Sequence, residues 1–298
     1  MAVNEGEIRS IVTRLVEELR GNVENPPASE PQRQAEGEEG CLPDLTQVEL
    51  RTQYLVEEPK NPAEFLRLKE KTPARLGLGR AGPRYKTETQ LRMRADHAAA
   101  QDSVFSLVEE GFAQRQGYTP VRTLCDNKDT YLTRPDLGRR FGEEAQKVIQ
   151  ATLGDHPQVA LVVGDGLSSA AIEANAADCM QAICQGLEAR GISHSPVLFV
   201  EFCRVGASDH IGSLTGAQVV CMLVGERPGL VTAESMSAYV TYEARIGVPE
   251  SQRTVVSNIH KGGTPAVEAG AHIAELIETM LKHQASGVAL KGKLAMGA

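Results

Sequence analysis

Three stretches of this chain are apolar almost from end to end: VALVV at 159–163, PVLFVEF at 196–202 and QVVCMLVG at 218–225. A strand with one face in water alternates apolar and polar residues. These do not, so both of their faces must be covered, as in a parallel sheet with helices on either side. AYVTYEA (238–244) and TVVSNI (254–259) add two more strand candidates, and helices are expected at 168–190 and 266–284. Only 4% of residues are aromatic and none is Trp, which suits helices packed through small side chains better than a β-sandwich. The expected fold is α/β, a Rossmann-like, mostly parallel sheet with helices on both faces, preceded by a helical N-terminal region.

Composition divides the chain into three parts. In 1–41, EGEIRSIVTRLVEELR (5–20) sets Ile8, Ile11, Val12, Leu15, Val16 and Leu19 at helical spacing, and GNVENPPASEPQRQAEGEEG follows as an acidic tether too polar to build a core. Residues 42–153 read as mainly helical and partner-contacting. There Thr46 and Glu49 have capping-box spacing, RLGLGRAGPRYKT is a polar glycine-rich connection, and Ala95–Gln116 is a helix candidate burying Val104, Phe105, Val108 and Phe112. Pro135-Asp136-Leu137-Gly138 punctuates the chain before a helix starting near Arg140. Residues 154–298 form the α/β part.

The first apolar run ends in GDGLSS, a strand–turn–helix setting suited to a phosphate crevice. Ser169 stands where the dinucleotide fingerprint has its third glycine, and Asp165 would set like charge beside a pyrophosphate. A turn capped by Ser168 or Ser169 explains the same residues without a ligand. FCRVGASDHIG (202–212) and LVGERPGL (223–230) also follow apolar strands at the edge where open α/β sheets bind ligands. Glu226, pinned between Gly225 and the Arg227-Pro228-Gly229 turn, reads as a positioned acceptor or as part of a solvent-facing loop. His210 beside Asp209 reads as a base or as a polar surface pair.

No GxxxxGK[ST], HExxH or GxSxG motif is present, and the seven histidines are scattered, so no catalytic residue and no metal-ligand set is assigned. Thirty-one Lys and Arg against 39 Asp and Glu give a charge of −8, which argues against nucleic acid as a partner. The six cysteines form no CxxC pair and read as reduced, mostly buried thiols. MAVNEGEIRS lacks the pattern of a secretory signal, and no apolar stretch reaches the roughly 20 residues that span a bilayer.

Several long motifs occur in order: KTPARLGLGRAGPRYKT (71–87), LRMRADHAAAQDSV (91–104), YLTRPDLGRRF (131–141), VVGDGLSSAAIEANA (162–176), FCRVGASDHIG, LVGERPGL, ESMSAYVTYEAR (234–245) and SNIHKGGTPAVEAGAHIAELI (257–277). From about Leu42 to the C-terminus the chain closely resembles the small subunit of ethanolamine ammonia-lyase. The resemblance implies an adenosylcobalamin-dependent radical lyase that converts ethanolamine to acetaldehyde and ammonia. It implies a TIM-barrel large subunit that holds ethanolamine and most of the chemistry, while this chain closes over the cobalamin. Val205 in CRVG, Glu226 in GERPG and Val255 in RTVVSNIH are the cofactor-binding positions it implies. At Val255 the family pattern has cysteine, so a contact there is apolar packing or runs through the backbone. The base-off cobalamin motif DxHxxG is absent, because Asp209 and His210 are adjacent. The implied location is the bacterial cytoplasm, within a microcompartment whose shell the N-terminal helix could address, unless that helix packs on its own subunit.

Two other functions stay open on residues alone. A nicotinamide oxidoreductase needs an acidic ribose ligand about 20 residues past its glycines, and Glu201 lies 35 beyond Gly166. A structural partner protein would bind no cofactor.

Overall fold

The computed structural model describes Val56 and residues 58–296. The helix expected at 5–20, the acidic tether and the Thr46 capping box lie outside the described residues.

A six-stranded sheet carries the fold, in the order β3-β5-β4-β6-β7-β8. Its strands are β3 (Thr119–Arg122), β4 (Val159–Gly164), β5 (His194–Glu201), β6 (Val219–Gly225), β7 (Met236–Tyr242) and β8 (Thr254–Ile259). The β3–β5, β5–β4 and β4–β6 pairs are parallel, while β7 runs antiparallel to both neighbours. Every residue of β4 and β6 is buried, the outcome required of strands covered on both faces.

On one face lie α6 (Ser169–Glu188) and α8 (Ala266–His283). Their axes approach closely because a Cβ on Gly270 would sit 2.5 Å from the Cys179 carbonyl oxygen. Leu161, Val163, Cys221, Leu223, Ala238 and Val240 meet them from the sheet. On the other face, α5 (Glu143–Leu153) and α7 (Ala207–Thr215) cover Val162, Leu198, Val200, Val220 and Met222. The helices expected at 168–190 and 266–284 are thus present, as is the mostly parallel sheet between helical layers. The five described cysteines are free, with Cys125, Cys179, Cys203 and Cys221 buried.

Before the sheet come α1 (Pro62–Glu70), a two-residue-per-strand hairpin of β1 (Arg80–Ala81) and β2 (Arg84–Tyr85), and α2 (Thr87–Phe105). The single helix expected over Ala95–Gln116 is broken. Ser106 is extended (ψ 155°), and Gly111 at φ +81° starts the short α3 (Phe112–Arg115). The break re-aims the apolar residues: Phe112 is buried, but Phe105 is 58% exposed. After β3, α4 (Lys128–Thr133) and a single 3₁₀ turn at Leu137–Arg139 lead to α5, which starts at Glu143, a few residues later than expected. The C-terminal α9 (Gly287–Met296) packs beside β8, where the Gly287 N–H bonds Thr254 Oγ1 at 2.8 Å.

Candidate functional site

The chain leaves β4 for β5 on one side and returns from β5 to β6 on the other, so the crevice of an open α/β sheet falls between β4 and β6. Here that crevice is closed by the protein itself. The Leu167 N–H bonds the Gly225 carbonyl at 3.0 Å, and a Cβ on Gly166 would lie 2.5 Å from the same oxygen. Ser168 caps α6 by accepting from the Ala171 N–H at 3.1 Å, and its hydroxyl donates to the Ala233 carbonyl. Ser169 donates to Asp165 Oδ1 at 2.7 Å. Asp165 is 4% exposed, and burial raises its pKa against the opposing pull of Lys128, Ser169 and the Val108 N–H. GDGLSS is therefore a capped turn whose polar groups are used internally.

The other expected polar residues are also engaged. Glu201 pairs with its register neighbour Arg122 at 2.6 Å. His210 accepts the Phe141 N–H at 3.2 Å, and burial followed by Arg140 lowers its pKa. Asp209 pairs instead with Arg253, so Asp209 and His210 form no dyad. A cavity of about 360 Å³ opens at the carboxyl ends of β3 and β5, lined by Phe112, Arg122, Asp165, Phe199 and Glu201, and it contains none of Val205, Glu226 or Val255.

Those three positions gather instead on the sheet face that α5 and α7 cover only in part. Tyr239 of β7 is the neighbour of two of them, Glu226 and Val255. Its hydroxyl donates to Glu226 Oε1 at 2.7 Å, and its register partner on β8 is Val255. Directly opposed residues of an antiparallel pair share a face, so Val255, 46% exposed, lies beside the Tyr239 ring. Val205, near the end of the β5–α7 turn and two residues before Ala207, packs on the same cluster as Tyr239. Burial, then the Glu226 carboxylate, pushes the Tyr239 phenol up, so it remains the donor. Glu226 is also fixed through its backbone, its N–H bonding the Ser235 carbonyl at 3.0 Å. The result is an apolar step with one anchored carboxylate at its edge.

Comparison with known proteins gives the chemistry a family. Residues 62–291 match the model described as ethanolamine ammonia-lyase light chain (EutC). The chain belongs to that family. It is 56% identical over 293 residues to the ethanolamine ammonia-lyase small subunit of Clostridioides difficile, covering 97% of this chain and 100% of the relative. The Clostridium perfringens small subunit is 55% identical over 296 residues, and that of Listeria monocytogenes serotype 4a is 53% identical over 293, with the same coverage of both chains. This ammonia-lyase light chain acts as the small subunit of a two-subunit enzyme.

Tyr239 and Arg253, which hydrogen-bond the candidate Glu226 and the Ser208 and Asp209 side chains after Val205, are residues that sequence reasoning missed. A usable signal was present in β7, where Ser237, Tyr239 and Thr241 alternate with Met236, Ala238 and Val240. In an otherwise apolar strand that alternation marks a face carrying hydroxyls. Arg253, alone before β8, gave no pattern.

Proposed function

We propose that this chain closes over adenosylcobalamin held against the large subunit of an ethanolamine ammonia-lyase, with Val205, Glu226 and Val255 as its contacts. The observation that carries the reading is that Glu226 and Val255 meet at Tyr239, while Val205 packs on the same core cluster as Tyr239. Their chemistry fits a corrin, a broad apolar ring rimmed by amides. Val205 and Val255 offer apolar contact. Glu226 keeps lone pairs free after accepting from Tyr239, since a carboxylate has about four acceptor sites. Valine in place of the cysteine of the family pattern at 255 supplies packing surface without a thiol.

When bound, adenosylcobalamin supplies the carbon radical that starts the deamination. This chain's part is to orient the ring and exclude water, because a reactive radical needs a closed, dry chamber. Glu226, held by Tyr239 and the Ser235 carbonyl, fixes the rotation of the ring through its amide rim. The ethanolamine pocket and the TIM barrel belong to the large subunit on this reading.

The partner-facing surface proposed here is the segment before the sheet. Leu91, Phe105 and Leu107 are exposed, and Arg75 reaches from Asp96 to the Leu230 carbonyl at 2.9 Å, tying this segment to the loop that follows Glu226. A bacterial microcompartment around the assembled enzyme is part of the same proposal.

The test is co-production with the large subunit, followed by titration with adenosylcobalamin and assay of ethanolamine deamination. A complex that purifies together, binds the cofactor and releases acetaldehyde is expected. A light chain that purifies alone and leaves cobalamin binding by the large subunit unchanged overturns the reading. Hydrogen exchange at 72–87 should slow on assembly, and identical exchange with and without the partner removes that surface.

A further inference from the structure

We infer that Arg253 is a positioning residue for the cofactor face, setting the separation of Val205 and Val255; the inference rests on the reading proposed above. Arg253 lies at the entry to β8, two residues before Val255, with its side chain only 1% exposed. Nη1 and Nη2 each bond one oxygen of Asp209 at 2.7 Å, and Nε bonds Glu250 at 2.7 Å. Nη1 also lies 3.3 Å from Ser208 Oγ, which donates to the Val205 carbonyl at 2.7 Å. Thus one planar group joins the strand carrying Val255 to the turn carrying Val205.

The fork adds to the ladder at the edge of the sheet. β8 is the last strand of the sheet, and its pairing with β7 shifts register between Met236 and Ala238. On the α8 side, Ser286 bonds the Gln252 carbonyl and Gly287 bonds Thr254. Arg253 grips the same entry from the α7 side. A buried ion pair is a weak source of net stability, since desolvation offsets most of the attraction. A bidentate arginine–carboxylate pair does fix distance and angle, which lysine, a point charge on a flexible stem, cannot.

The experiment uses the full chain assembled with its large subunit and titrated with adenosylcobalamin by visible absorbance in the dark. R253M, R253K and D209N are compared with the parent complex. A control, Leu187→Ala, destabilises the core on the opposite face and is compared at equal loss of melting temperature. The expected result is roughly 10-fold weaker cobalamin binding in R253M, the scale of losing a supporting contact behind a bound group. Smaller losses are expected in R253K and D209N, and none in the control. Without cobalamin, hydrogen exchange in the variants should quicken at 207–212 and 254–256 and nowhere else. Should R253M fail to assemble, R253K and D209N decide the matter. Unchanged affinity in those two, or an equal loss in the control, overturns the positioning role. Absence of binding by the parent complex overturns instead the functional reading on which it rests.

Discussion

Two of the glycine-containing turns at the carboxyl edge of the sheet look alike in sequence and do opposite things. After β4, GDGLSS folds inward: Ser168 caps α6, Ser169 and Asp165 bond each other, and Gly166 lies against the Gly225 carbonyl. After β6, GERPGL folds outward and leaves Glu226 half-exposed, held by Tyr239. The difference comes from the element that each strand leads into. A helix N-terminus presents unpaired N–H groups that the chain must satisfy, and serine does so locally. An antiparallel return strand makes no such demand, so Glu226 keeps acceptor capacity beyond its bond from Tyr239. In this fold the Gly-x-Gly turn spends its polar groups on the chain itself, while the surface proposed for the cofactor includes the turn where the sheet reverses direction.

The most forceful way to break this comparison is at the closed junction. A Cβ on Gly225 would collide with the Ser168 carbonyl oxygen, and backbone cannot give way as a flexible side chain can. Gly225→Ala should lower stability by about 3 kcal/mol, the upper range for overpacking, measured by denaturant unfolding. A loss below about 0.5 kcal/mol, the size of a neutral surface change, would mean the two turns are not locked together.

The open face is probed by Glu226→Ala. Removing a charge-assisted acceptor should cost about 2 kcal/mol of cobalamin affinity, roughly 30-fold, with subunit assembly and melting temperature nearly unchanged. Equilibrium titration of the assembled complex measures it, and unchanged affinity would erase the distinction between the two turns.

Ser168→Ala should do the reverse. It deletes the cap of α6 and the bond to the Ala233 carbonyl. The expected loss is about 1.5 kcal/mol of stability, with cobalamin affinity intact once the complex is assembled. Weakened cofactor binding at full assembly would make GDGLSS a ligand-binding turn after all.

Much of the fold was legible because burial on both faces leaves a direct mark. β6 falls within one residue of the apolar run at 218–225, and β8 coincides with TVVSNI. β3 was invisible: four residues, TPVR, with a proline that only an edge position tolerates. The break at 106–111 was hidden because Val104, Phe105, Val108 and Phe112 keep helical spacing across a chain that turns between them. At the site, family resemblance supplied Val205, Glu226 and Val255, but not the reason they belong together. For Val255, beside Tyr239, that reason is the β7–β8 register, a long-range pairing that no local pattern encodes.

Tyr239→Phe is the smallest and most informative change. The ring stays, so the apolar step beside Val255 is preserved, and only the 2.7 Å bond to Glu226 is lost. Glu226 then keeps its backbone anchor to the Ser235 carbonyl while its carboxylate becomes free to rotate. Cobalamin affinity should fall by about 1 kcal/mol, the net worth of one hydrogen bond, and less than in Glu226→Ala. The double variant decides whether the phenol acts through the carboxylate. If it does, Tyr239→Phe adds nothing once Glu226 is alanine, and the two losses fail to sum by about the value of the single tyrosine change. Additive losses would show Tyr239 touching the cofactor independently, and would move it from support of Glu226 to a contact of its own.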